Sequence, residues 1–279
     1  MSYNLKTKKI KNKLYLEGNI PLVNNIYINK LLCKYDIIYF SITFNQKIDN
    51  LSSNIKAIHF SNYNISYSNN IFYYINSRNT NYDDAYDFNQ PINNLPYNLL
   101  LLELSGSFAQ SLAYLPFSLK CLILNIYEFI NGMLDYLPPL EVLILKLHNY
   151  TYNTLPYELQ ELYLIGHCSK ICAFPDKLKL LFINGYTNKL DIHFSLPPNL
   201  EIFIFLDDDL QFNNNIIIIK SKLRNKEFPI TLKEMQLPIG WCKYNTEFID
   251  LSSYIGTKLI IKYKNINDNI IKHIFDKYY

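Results

Sequence analysis

Leucine recurs along this chain in a fixed phrase. The stretch from Phe88 to Leu145 reads FNQPINNLPYNLLLLEL, FAQSLAYLPFSLKCLIL and FINGMLDYLPPLEVLIL, and each copy closes on L-x-x-L-x-L. Leu95 and Pro96 lead to Leu99, Leu102 and Leu104, and Leu115 and Pro116 lead to Leu119, Leu122 and Leu124. Further copies open at Leu155-Pro156, Phe174-Pro175, Leu196-Pro197 and Phe228-Pro229. An earlier copy without proline runs Leu51, Ile55, Ile58, Phe60. The copy at Leu137 is one residue short and reaches Leu140, Leu143 and Leu145. From Leu99 to Leu200 successive copies lie 20, 21, 19, 19 and 22 residues apart. A fixed period of this length is the mark of a solenoid.

The L-x-L ending has the period of a strand with both leucines on one face. A coil this short closes with one strand and a return arm with no room for a long helix. Proline suits such an arm, because it fixes φ and donates no hydrogen bond. One coil cannot bury its own leucines, so stability comes from stacking and each end needs a cap. The expected fold is therefore mainly β: a leucine-rich-repeat-like β-solenoid with one parallel sheet, short return arms and a C-terminal capping helix.

Phe88-Asn89-Gln90-Pro91-Ile92, Phe44-Asn45-Gln46-Lys47-Ile48 and Phe108-Ala109-Gln110-Ser111-Leu112 precede their leucines at a constant spacing. Joined to L-P-x-x-L-x-x-L-x-L, this pattern resembles the FNIP repeat, a leucine-rich-repeat-like module found mainly in amoebae and the giant viruses that infect them. After Leu145 the F-N element is gone while the leucines persist. The resemblance implies a binding scaffold rather than a reaction. Some FNIP proteins carry an amino-terminal F-box, and no such pattern stands before the coils here.

Three regions follow from the spacing. Residues 1–36 form an N-terminal cap or partly ordered segment, with Lys6, Lys8, Lys9, Lys11 and Lys13 read as a solvated basic terminus rather than a site for an anionic partner. Residues 37–238 form the solenoid. Insertions fall near 61–87, where Ile71 to Ile75 has room to be a degenerate coil, and near 206–227. Residues 239–279 form a C-terminal cap, with a strand at Leu259 to Tyr263. An amphipathic helix follows, with Ile266, Ile270 and Ile274 on one face.

Composition narrows the function. A net charge of +3 on 279 residues argues for neither nucleic acid nor an anionic membrane. Five cysteines without a signal peptide point to a reducing, intracellular setting, the cytoplasm of the producing cell or of its host. No apolar run is long enough for a membrane span. His167-Cys168-x-x-x-Cys172 lacks the second ligand pair that zinc takes. Asp207-Asp208-Asp209 points its carboxylates apart, as neighbours on an extended segment do. Cys33, Cys121 and Cys242 read as small packing residues. P-loop, dinucleotide and H-E-x-x-H motifs are missing. No catalysis, cofactor or metal is expected.

The strand alternation places a candidate surface. Inside L-x-L the outward residue is Glu103, Ile123, Ile144, Tyr163, Phe182, Ile204 and Gln236 in successive coils. Just before the second leucine stand Leu101, Cys121, Val142, Glu161, Leu180, Ile202 and Glu234. Stacking should align these as two columns about 4.8 Å per step. The apolar middle, comprising Leu101, Ile123, Val142, Ile144, Tyr163, Leu180, Phe182, Ile202 and Ile204, is the expected docking stripe for a protein partner or a second copy. The competing reading is that another part of the chain covers it. The function expected is a protein-interaction scaffold. The alternative is a substrate-recognition subunit of a ubiquitin ligase or, behind it, an enzyme without a recognised motif.

Overall fold

The computed structural model describes residues 6–19, 21–22, 25–49, 51–60, 87–127, 133–152, 155–171, 173–184, 196–206, 229, 231–236 and 260–262. The fold is a β-solenoid of the leucine-rich-repeat kind. Its chain divides into two compact units, the first running to Leu140 and the second starting at Glu141.

In the first unit, β1 (Lys6–Ile10) and β2 (Lys13–Glu17) form an antiparallel hairpin. Lys11 turns it with a left-handed φ of 53°, a place that usually falls to glycine. Lys6, Lys8 and Lys9 thus belong to an edge strand and Lys13 to the first rung. Lysine at a sheet edge discourages pairing with other chains. Parallel rungs follow: β3 (Ile37–Phe40), β4 (Ala57–Phe60), β5 (Leu101–Gly106) and β6 (Cys121–Ile126). The ladder therefore begins at Lys13, upstream of the Ile37 expected from spacing. The first return arm holds a short helix, α1 (Ile26–Leu32), whose Asn25 side chain caps it by accepting from the Ile28 amide at 3.1 Å.

β4 pairs directly with β5, with Ala57 opposite Leu101. No rung of this sheet therefore stands between them, although 44 residues separate Ile55 from Leu99. Ile71 to Ile75 lie outside the described residues, as do Asp207–Asp209 and the expected terminal helix.

The second unit holds parallel strands β7 (Val142–Tyr152), β8 (Glu161–Ile171), β9 (Leu180–Asn184), β10 (Ile202–Leu206), β11 (Glu234–Gln236) and β12 (Ile260–Lys262). β10 pairs directly with β11 despite the 32 residues between Leu200 and Leu232.

The P-x-x-L part of the phrase is a tight turn. Leu99 donates its amide to the Pro96 carbonyl at 3.0 Å, Leu119 to Pro116 at 3.0 Å, Leu159 to Pro156 at 3.1 Å and Leu178 to Pro175 at 3.1 Å. The short copy makes a three-residue turn, Leu140 to Pro138 at 2.7 Å, and so delivers its leucine to the same place. Each coil then hangs on the one before. The amides of Lys56 and Ala57 both donate to the Asp36 carbonyl, those of Leu100 and Leu101 to Lys56, and those of Lys120 and Cys121 to Leu100. Leu99, Leu102, Leu104, Leu119, Leu122 and Leu124 are fully buried.

The F-N element has its own function in the stack. Asn45 Oδ1 accepts from the Asn89 amide at 3.0 Å and from Gln90 Nε2 at 3.0 Å. Asn89 Oδ1 accepts from the Ala109 amide at 2.9 Å and from Gln110 Nε2 at 2.9 Å. Beneath this ladder Phe44, Phe88 and Phe108 stack at 6.1 and 6.0 Å, and Phe60 lies 3.8 Å from Phe88. Replacing Phe88 by Ala should cost about 3–5 kcal/mol of unfolding free energy. Replacing Asn89 by Ala strands the Ala109 amide and should cost about 1–3 kcal/mol. Urea titration of each variant checks both. Losses below about 0.5 kcal/mol would mean that the spine and ladder do not couple the coils.

Candidate interaction surface

The two outward columns form in the expected register. Leu101 stands beside Cys121, and Glu103 beside Ile123. In the second unit Val142, Glu161, Leu180 and Ile202 align, as do Ile144, Tyr163, Phe182 and Ile204. The solvent exposure expected of them is not found. Leu101 and Val142 are fully buried, Tyr163, Ile204, Phe182, Ile144 and Ile123 are buried, and Leu180 and Ile202 are half-buried. Strand alternation assigns a face and does not say whether that face is wet. Here both faces of the rungs are packed.

The outward column of the first unit extends further back than the leucine phrase reveals. Tyr15, Tyr39 and His59 occupy it on β2, β3 and β4, followed by Glu103 on β5. Tyr15 stacks on Tyr39 at 4.6 Å and Tyr39 on His59 at 4.4 Å, with planes within 10° of parallel. His59 Nδ1 lies 2.6 Å from Glu103 Oε2, and both residues are buried. Parallel in-register strands force like positions onto each other, so an aromatic ladder ends on a paired carboxylate. Burial raises the Tyr39 phenol far above its ordinary range, with Tyr15 and Glu103 adding to the effect. In the second unit Tyr163 donates its hydroxyl to Glu161 Oε2 at 3.0 Å, so that buried acid too is partnered. Burial lowers the Lys146 ammonium.

Cysteine behaves in two ways. Cys121 is buried in its column as a packing residue. Cys33, expected to pack, is exposed, because it ends α1 on the solvent side. His167 and Cys168 lie on β8. Cys172 and Cys242 fall outside the described residues. Among the described residues no three His, Cys, Asp or Glu come together to hold a metal ion. Among them, too, no helix is long and apolar enough to cross a membrane.

The exposed apolar side chains are elsewhere. Among the described residues, Ile26 at the start of α1 and Tyr97, Tyr114, Phe117 and Tyr136 in the first unit, with Tyr157 in the second, stand 65–84% exposed on the return arms. Tyr97, Phe117 and Tyr157 each follow the turn proline, and Tyr114 and Tyr136 each precede the turn leucine. The L-P-Y and L-P-F tripeptides are the signal for Tyr97, Phe117 and Tyr157, and Y-L-P is the signal for Tyr114 and Tyr136.

Two outcomes separate packed face from open arm. Ile144→Lys with Phe182→Lys should unfold or strongly destabilise the chain, since each puts a charge into a buried position. Circular dichroism and a thermal melt read this, and a native-like melt would show the stripe to be accessible. Tyr39→Phe should flatten the loss of stability in alkali. The raised folded-state value makes the tyrosine's contribution complete below about pH 10 and progressively lost above it. Parallel alkaline profiles for the two proteins would remove Tyr39 from that loss.

No family model matches the chain, and no curated protein matches it. Among solved structures the chain is similar to CroV588, described as a novel circular leucine-rich-repeat protein. Identity is 20%, the TM-score 0.46, and the match covers 93% of this chain and 41% of that one. The chain thus spans about two fifths of the length of that protein.

Proposed function

We propose that this chain is a FNIP-type, non-catalytic scaffold that binds a protein partner through the aromatic ridge of its return arms. The reading rests on one observation above all. Among the described residues of the first unit, four aromatic side chains on the return arms, Tyr97, Tyr114, Phe117 and Tyr136, stand largely exposed. Tyrosine is enriched among the residues that dominate binding energy at protein interfaces. Its large rigid ring binds at low entropic cost.

Two further observations support it. The buried polar side chains on the sheet are engaged with each other, His59 with Glu103 and Glu161 with Tyr163. The stripe residues on the sheet face are buried or half-buried, which supports the arms as the docking surface.

The test is a tagged capture from host-cell extract, followed by purification of each recovered protein and titration against the chain. Tyr97→Ala with Phe117→Ala should weaken a true partner at least tenfold while leaving the urea midpoint unchanged. Equal affinity for wild type and variant would place the docking surface away from the ridge.

A further inference from the structure

The net charge of +3 conceals an uneven distribution. Residues 1–34 hold seven lysines and a single acid, Glu17, a balance of +6. The remaining residues hold 20 basic and 23 acidic side chains, a balance of −3. Charge asymmetry of this kind points to an anionic partner at the basic end.

The fold gathers the described part of the excess at one corner of the first unit. Lys9 on β1 and Lys11 in the hairpin turn are exposed. Burial and then the nearby Lys11 charge hold the Lys13 ammonium below its ordinary value, so cations crowd the turn. The chain leaving α1 returns to that turn. The amides of Asp36 and Ile37 both donate to the Asn12 carbonyl, at 3.2 and 3.3 Å. This brings Lys34 to the corner that holds Lys11, and Lys30 stands four residues earlier, both exposed. Two carboxylates belong to the same coils. Glu17 pairs in register with Lys6, at the end of the hairpin away from the turn. Asp36 is half-buried in the corner and lowers its charge by one without reversing it. Among the described residues none of Lys9, Lys11, Lys30 and Lys34 makes an ion pair. Lys177 and Lys233 in the second unit, by contrast, are held by Glu158 and Glu201 at 2.6 Å.

We propose that this basic corner docks the chain on an anionic lipid surface, with the Ile26 side chain entering the headgroup layer. Ile26 selects lipid among the polyanions. The exposed face of α1 carries Ile26, Lys30 and Cys33, with Lys34 just beyond, while Ile28, Leu31 and Leu32 are buried on the coil. Ile26 is 72% exposed, so folding gains little from it. A phosphodiester backbone offers such a side chain nothing. An interfacial layer takes it up, and the lysines beside it keep their ammonium groups at the headgroups. The cations are lysines throughout, hydrated point charges without the fork by which arginine reads carboxylates and phosphates in pairs. Charges of that type answer a diffuse field of headgroups, at about fivefold in partitioning for each lysine near the surface. Four exposed lysines then give on the order of several hundredfold, an attraction that salt screens. The inference stands apart from the arm aromatics and rests on different residues.

Co-sedimentation of the purified full chain with phosphatidylcholine vesicles, with and without about one third phosphatidylserine, tests it. Wild type should pellet with the anionic vesicles and not with the neutral ones. Its binding should fall at least tenfold between about 0.1 and 0.5 M salt. Lys9→Gln, Lys11→Gln, Lys30→Gln and Lys34→Gln together should lower binding at least a hundredfold with an unchanged urea midpoint, since all four side chains are exposed. Ile26→Ser should lower it severalfold and leave the salt dependence as it was. Lys177→Gln with Lys233→Gln takes charge from the second unit and should change binding by less than about twofold. A wild type that ignores anionic vesicles overturns the proposal. So does binding that survives the corner substitutions, or that falls as far in the second-unit pair as in the corner variant. Retention by single-stranded RNA or poly-glutamate without retention by vesicles overturns the lipid surface as the occupant.

Discussion

Everything in this fold depends on one coil hanging from the next. A single coil has one short strand and cannot pair its own backbone, so its amides are spent on the carbonyls of the preceding coil. The pairing of Lys120 and Cys121 on the Leu100 carbonyl is typical. The arm repeats the arrangement with side chains. Asn89 reaches the next coil's Ala109 amide and also gathers Gln110, so a polar ladder outside the sheet keeps the same step as the sheet. Backbone ladder, asparagine ladder and phenylalanine stack share a spacing, and none can slip without the others. Stability in such a chain is a sum of neighbour terms. The antiparallel β1 at one end of the first unit is part of that logic, since the first parallel rung would otherwise present a bare edge.

Equal spacing has a consequence for the face opposite the leucines. In-register parallel strands place each side chain against its equivalent on the neighbouring coil. Like charges in a column would repel. Aromatic rings stack well at such a step, as Tyr15, Tyr39 and His59 do. Aliphatic side chains pack, as Ile123 and Ile144 do in their columns. An acid survives only where a neighbour answers it. Glu103 has the His59 ring, and Glu161 has the Tyr163 hydroxyl. The column composition that first suggests an interface therefore has a sufficient explanation in packing between coils.

Much of the architecture was legible in the sequence, and the failures have physical causes. The turn, the rung and the inward leucines all follow from L-P-x-x-L-x-x-L-x-L, because proline and two-residue alternation each have one meaning there. Register followed too, since a kept phase is a kept pairing. Coil number did not. The 44 residues between Ile55 and Leu99 fit one coil with an insertion as well as two coils, and period cannot distinguish them. Leu14-Tyr15-Leu16 is a rung without the proline turn before it, so nothing in the phrase pointed to it. Exposure failed for a different reason: alternation divides a strand into faces, while wetness depends on what lies against a face. The arm aromatics went unseen because they occupy the variable positions of the phrase.

Those variable positions are where this scaffold is free to carry function. The turn at Pro138 has lost a residue, yet Leu140 still docks through its bond to Pro138. The rungs thus tolerate changes of arm length and arm side chain that they would never tolerate at a leucine. A surface residue in such a turn owes nothing to the stack. A tyrosine or phenylalanine held 65–84% in water, in coil after coil, gains no folding energy that a polar residue would forfeit. Isolated exposed apolar residues need no explanation, but a ridge of them repeated at the coil spacing does. The function proposed above accounts for it, since the solenoid spacing gives the rings a regular presentation.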